Sequence, residues 1–118
     1  DIAESKKEFT QLLKNLRSEG KRIAGYAASS KSTTVLNYCE IGPELIEHIF
    51  DSTPSKQGKY SPGQHIPIVH QKLFRDDPPD FAIIFAWNHM KEIIEKEQQF
   101  REAGGQWIVH LPRARILE

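Results

Sequence analysis

The 118-residue chain has a single cysteine, Cys39, so it cannot form an internal disulfide, a pattern suited to a reducing, cytoplasmic compartment. It lacks a net charge, with 16 Lys and Arg against 16 Asp and Glu. No basic field is available to draw it to nucleic acid or to an anionic membrane, and neither is expected as a partner. It lacks an apolar run of membrane-spanning length and any signal-peptide pattern at its start. It also lacks an initiating Met, which fits an excised piece of a longer protein.

Metal and nucleophile signatures are missing too. The five histidines (His48, His65, His70, His89, His110) and Cys39 show neither C-x-x-C nor H-x-x-x-H spacing, and no G-x-S-x-G elbow occurs. No carboxylate pair is spaced for acid–base work. Neither a metal site nor a catalytic residue is expected within the chain.

What is present is alternation. Ser5 and Glu8 read as a capping box before a helix over about 5–19, with Phe9, Leu12, Leu13 and Leu16 on one stripe and Gly20 as its left-handed exit. The apolar "RIAGYAA" reads as a strand, and Ser30 to Cys39 as a helix that Gly42-Pro43 breaks. Leu45 to Asp51 reads as a second strand, with a turn of 3₁₀ helix at Pro43-Glu44-Leu45 as an alternative start, and "IPIV" (66–69) as a third, followed by a short helix around Gln71 to Arg75. Phe81 to Trp87 is apolar throughout, as a central parallel strand covered on both faces should be. Asn88 is placed to cap a helix carrying Met90, Ile93, Ile94 and Phe100, which Gly104-Gly105 ends. "QWIVHL" (106–111) supplies the last strand. Strands alternating with helices predict a single α/β domain over residues 1–118, a small Rossmann-like, three-layer fold. Its sheet should be mainly parallel with four to five strands, and the first helix should pack on it.

Such sheets bind ligands beyond the carboxyl ends of their strands. Three segments should meet there: the turn Gly25 to Ser32, the Ser/Gly/Pro-rich loop "STPSKQGKYSPGQHIPI" (52–68), and Trp87-Asn88. The turn offers free amides, three hydroxyls (Ser29, Ser30, Ser32) and the Lys31 charge at a helix N-terminus, where an anion is favoured. The same residues also serve as ordinary caps and turns, so both readings stand. The turn keeps only the first glycine of G-x-G-x-x-G, with Ala27 and Ser30 at the others, and it is one glycine short of a P-loop. Asp51, ending the second strand, stands where a dinucleotide fold places its ribose-binding acid and equally where a turn residue belongs. The loop adds Lys56, Lys59, Gln57, Tyr60 and His65 among prolines that limit its freedom. Trp87 and Asn88 suit stacking on a ligand, or closing the core and capping a helix.

Taken together, "GKRIAGYAASSKSTTVLNYCEIG", "DSTPSKQGKYSPGQHIPI", "DFAIIFAWNHMKEII" and "GGQWIVHLPRARIL" resemble the C-terminal domain of S-adenosylmethionine-dependent C-methyltransferases. That family includes enzymes that methylate a carbon of a nucleotide-linked deoxysugar. The loop signature K-Q-G-x-Y-x-P-G-x-H-I-P-I is the most specific part of the likeness. The resemblance implies a methyltransferase parent with an upstream zinc-binding domain and a middle domain holding S-adenosylmethionine. This domain would face a nucleotide-sugar or other phosphorylated substrate without catalysing alone. It implies substrate contacts through the turn (Gly25, Ala28, Ser29, Ser30, Lys31, Ser32), the loop (Lys56, Gln57, Tyr60, His65) and Trp87 and Asn88. Against the family pattern G-Y-G-A-x-A-K-G, Ala27 and Ser32 stand where glycines are common and Ser30 where alanine is. Two rival readings remain: a stand-alone nucleotide- or dinucleotide-binding module, and a structural domain with a vestigial pocket.

Overall fold

The structure is a computed structural model that describes residues 2–110 and 113–117, the side chains of Ile2 and Trp87 excepted. Its first element, α1 (Ile2–Ser18), begins a turn before the expected cap, so Ser5 lies inside the helix. The helix former Ala3 and the acidic Glu4 favour that earlier start, Glu4 by sitting near the positive end of the helix dipole. Its far end follows the sequence signal: Gly20 takes φ +80°, Lys21 N–H donates to the Leu16 carbonyl and Gly20 N–H to that of Arg17. This is a Schellman closure, which only a residue at ease in the left-handed region completes cheaply.

Six strands follow: β1 (Ile23–Tyr26), β2 (Ile49–Asp51), β3 (Ile68–His70), β4 (Phe81–Ile84), β5 (Gln106–Val109) and β6 (Arg115–Ile116). They form one sheet in the order β3-β2-β1-β4-β5-β6, parallel except where β6 returns antiparallel along β5. The domain is therefore α/β and Rossmann-like. The two-residue β6 is a strand beyond those expected, too short for a periodic signal of its own. Leu111, assigned to the last strand from sequence, lies outside the described residues.

The interior strands alternate across the sheet. Ile23, Phe81, Ile83, Phe85 and Ile108 join one buried cluster with Phe9, Leu13 and Leu16 of α1 and Leu36 of α2 (Ser30–Tyr38). Ala24, Tyr26, Ala82, Ile84 and Trp107 face the other way. They pack with Phe74 of α3 (Leu73–Asp76), Met90 and Ile93 of α4 (Met90–Lys96) and Phe100 of α5 (Gln98–Glu102). Apolar residues on both faces give two cores, one on each side, and hence three layers.

Several boundaries differ from the sequence reading, for local reasons. Residues 43–45 form a turn before β2, the alternative start read from Pro43-Glu44-Leu45, and β2 keeps only Ile49–Asp51 of the strand expected from Leu45. Between Phe81 and Trp87 only the first four residues pair as a strand, and Trp87–His89 form a 3₁₀ turn. The helix after it is interrupted at Glu97, giving α4 and α5. Asn88 does not cap it; His89 holds that position without a side-chain cap bond. Glu97 stands at the break. Its carboxylate is 2% exposed, accepts the Tyr26 hydroxyl at 2.5 Å and the Arg75 Nε at 3.2 Å, and also takes a bond from Gln71. A buried carboxylate needs such partners; the Glu97 backbone leaves helical angles (φ −108°, ψ 38°) while its N–H still donates to the Ile93 carbonyl at 2.9 Å. Burial and the Glu97 carboxylate together push the Tyr26 hydroxyl well above its ordinary pKa.

Candidate functional site

In this strand order the chain reverses direction across the sheet between β1 and β4, and ligands in such folds lie beyond the carboxyl ends of the strands near that point. Here those ends carry the turn 27–29, the N-terminus of α2, the 52–67 loop and the 3₁₀ turn.

The turn is shaped by one residue that does not suit it. Ala27 adopts φ +77°, a conformation natural to glycine, and its N–H donates to the Phe50 carbonyl at 2.7 Å. The missing glycine has thus left its backbone geometry behind. Gly25 is different. It is buried in β1, and a Cβ there would meet the Phe85 ring and Ile49 at 3.2–3.3 Å, so its lack of a side chain serves strand packing.

Helix α2 starts with a reciprocal cap. Ser29 Oγ accepts the Ser32 N–H at 3.3 Å, while Ser32 Oγ accepts the Ser29 N–H at 3.0 Å and donates to the Ser29 carbonyl at 2.8 Å. Ser32 is buried and its hydroxyl is taken up in the cap, so it does not face a ligand. The amides of Ser30 and Lys31, at the first helical positions, find no acceptor among the described residues. They point along the positive end of the helix dipole, and the Ser30 hydroxyl is exposed beside them.

The loop is fixed to this turn by Asp51. Its Oδ2 accepts the Ala28 N–H and its Oδ1 the Thr53 N–H, each at 2.7 Å. Burial would raise this carboxyl's pKa, but the Thr53 and Ala28 donors and the nearby Lys56 charge outweigh it and hold the group below its ordinary value. Lys56 Nζ donates to the Ala28 carbonyl at 2.6 Å, and Gln57 Nε2 to the Asp51 carbonyl at 3.2 Å. Asp51 therefore has a structural task, stapling loop to turn, in place of the ribose contact expected of an acid at this position in a dinucleotide fold. Farther along, Gly58 N–H and the Lys59 carbonyl pair with Ile68, and Tyr60 bridges Pro67, so the loop's middle runs along the outer edge of β3.

These contacts leave a cleft of about 350 Å³ between α2 and the loop. Ala28, Ser29, Ser30, Lys56 and Tyr60 line it, all expected from the sequence, together with Thr33, Ser55, Lys59, Ser61, Pro62 and Ile68. Tyr60 is 64% exposed, unusual for a large aromatic ring. The remaining expected residues are elsewhere. Gln57 and Ser32 hold backbone; Gly25 packs in the sheet; His65 is exposed on the loop at φ +57°. Lys31 is not part of the cleft wall, and its Nζ donates to Asn88 Oδ1 at 3.2 Å across the carboxyl ends of β1 and β4. The Trp87 side chain lies outside the described residues. Lys59 is the addition that matters chemically: it stood in view in the loop, but it occupies a variable position of the loop signature.

Among the described residues no group of three or more His, Cys, Asp or Glu could hold a metal ion, and no helix is long and apolar enough to cross a membrane. The cleft lining contains two lysines and no carboxylate. An α/β domain with this mostly parallel sheet belongs to the broad class of Rossmann-like modules. More specifically, residues 1–112 match the C-methyltransferase C-terminal domain family, and the chain belongs to it. Over 110 residues it is 36% identical to the C-methyltransferase NovU of Streptomyces niveus, an alignment that covers 93% of this chain and 26% of NovU. The chain thus spans about a quarter of that relative's length.

Proposed function

We propose that this domain orients the substrate of a C-methyltransferase, receiving a nucleotide-linked sugar or similar phosphorylated molecule in the cleft between α2 and the 52–67 loop. The reading rests chiefly on one coincidence: the loop signature carried by the family resemblance forms one wall of a cleft whose opposite wall is a helix N-terminus. The unpaired amides of Ser30 and Lys31 suit a phosphate, and the exposed Tyr60 ring suits a flat apolar surface. In the parent enzyme the methyl donor S-adenosylmethionine and any zinc would be held by an upstream region, and a base there would remove the proton from the accepting carbon. This domain would contribute position, which lowers a barrier by fixing the reacting geometry in advance. Alone it would be inactive.

Titration of the chain with nucleotide-sugars, followed by amide NMR, tests this. The expected result is saturable shifts at Ser30 and Lys31, with a raised KM for the Lys31→Ala variant of the parent enzyme. Absence of binding together with an unchanged Lys31→Ala enzyme would refute the role given to the turn.

A second reading has its own support. Ser29, Ser32, Asp51, Lys56 and Gln57 all direct hydrogen bonds inward, as in a scaffold whose pocket is vestigial. Hydrogen exchange separates the two: protection of residues 53–66 that appears only with the rest of the parent protein, and not with nucleotide-sugar, favours the scaffold.

A further inference from the structure

Three lysines stand near the cleft, and the geometry assigns them different work. Lys56 is tied to the Ala28 carbonyl and lies near the Asp51 carboxylate. Lys31 is tied to Asn88. Lys59 lines the cleft, is exposed, and has no side-chain partner among the described residues. Its backbone is nevertheless fixed. The Lys59 carbonyl accepts the Ile68 N–H at 2.8 Å, the Gly58 N–H donates to the Ile68 carbonyl at 3.0 Å, and Lys59 N–H reaches the Lys56 carbonyl at 3.3 Å. The Tyr60–Pro67 bridge holds the next residue to the same edge. An ammonium without a partner among the described residues thus stands on a pinned stretch of chain, beside a cleft whose lining carries no acid.

We propose that Lys59 is a specificity-determining residue of this cleft: its ammonium pairs with the phosphate or diphosphate of the bound molecule. This rests on the substrate-binding reading above and goes further by naming the group recognised and the residue that recognises it. A lysine is suited to the task as a compact point charge on a flexible stem, able to follow a diphosphate held chiefly by backbone amides. Lys56, by contrast, is a positioning residue that acts through the turn it holds.

The test uses the 118-residue chain with pyrophosphate and uridine diphosphate as probes, read by calorimetry at low and at physiological salt. Lys59→Ala should weaken binding of both probes roughly tenfold at low salt, flatten the salt dependence, and leave the melting temperature unchanged. Lys59→Arg should restore most of the affinity, and Lys59→Glu should weaken it beyond the alanine variant. Wild-type binding that Lys59→Ala leaves unaltered, in affinity and in salt dependence, overturns the assignment to Lys59 alone. A wild-type chain that binds neither probe overturns the substrate-binding reading and this assignment with it.

Discussion

The two ends of the sheet use charge in opposite ways. At the amino ends of the strands, Arg22 finds partners for both its guanidinium and its main-chain N–H. Its guanidinium donates to Glu47 at 2.7–3.2 Å, to Asp77 at 3.0–3.2 Å and to the Pro78 carbonyl at 3.3 Å, and its main-chain N–H donates to Asp80 at 2.7 Å. The Glu47 and Asp77 carboxylates hold the guanidinium firmly charged, while Arg22 in turn lowers the Asp77 carboxyl. At the carboxyl ends, two helix amides, the Ser30 hydroxyl and the Lys59 ammonium have no such partners among the described residues. Satisfied polar groups are the mark of architecture; the exposed, unpaired groups at the other end are the ones to which the proposed function gives a guest. Substitutions at the two ends should therefore separate stability from binding.

The largest effect on folding is expected from Arg22→Ala. It leaves a half-buried Glu47 without its bidentate partner and removes the side-chain links between the segments before β1, β2 and β4, whose main-chain bonds remain. Because the Arg22 side chain is 36% exposed, the cost is discounted for solvent to about 2 kcal/mol. Urea denaturation would measure it, and nucleotide binding should survive. Equal loss of binding and stability would show that the two ends are not independent.

Asp51 lies on the boundary, a closed group at the open end, and its substitution sharpens the distinction. Asp51→Asn removes an acceptor from one of two part-buried amides and should cost about 1 kcal/mol. It should also change the acid limb of the stability curve. The folded-state pKa of Asp51 is depressed, so its contribution is fully present above the ordinary aspartate pKa of about 4 and is lost as pH falls through the lower folded value. The variant should be less stable near neutrality and lose less on acidification below about pH 4. His110 adds an earlier step of the same sign. Burial lowers its pKa, so stability should begin to decline below about pH 6.5, where the unfolded imidazole takes up a proton first. Denaturation from pH 7 to 3 would show both steps, and an identical acid limb in Asp51→Asn would remove the staple from the account.

The two ends were not equally legible in the sequence. Helix α1, β1, β4 and the layer order followed from apolar periodicity, because Phe9, Leu13 and Leu16 or Ile23 and Phe81 must find a core wherever the chain takes them. The capped start of α2 was visible in Ser29 to Ser32, but not that Ser32 turns its hydroxyl inward. The burial of Glu97 left no local trace, since its partner Tyr26 lies 71 residues earlier in the chain. Lys56 and Lys59 carry the same charge in the same loop; only tertiary contacts give one a carbonyl and leave the other facing the cleft.

A smaller effect is expected at Ala27, with the opposite sign. Ala27→Gly places a permissive residue at φ +77°. Relief of left-handed strain exceeds the added chain entropy of glycine, for a net gain of about 0.5–1 kcal/mol. A destabilised glycine variant would mean that the Ala27 methyl, half-buried beside the α3–α5 cluster, contributes packing that outweighs the strain.

The smallest change in stability belongs to Lys31→Ala, and there the comparison between the two ends is most exposed to test. The side chain has one hydrogen bond, to Asn88 at 3.2 Å in an exposed setting, so its loss should move stability by less than about 0.5 kcal/mol. That bond nevertheless spans the carboxyl ends of β1 and β4, linking the start of α2 to the 3₁₀ turn before α4. Lys31→Ala and Asn88→Ala should therefore leave the melting temperature in place. Both should loosen amide exchange at residues 87–89, with only the lysine variant also weakening anion binding. If the asparagine variant weakens it equally, the Lys31–Asn88 contact acts as one unit, and the helix amides depend on it for their aim.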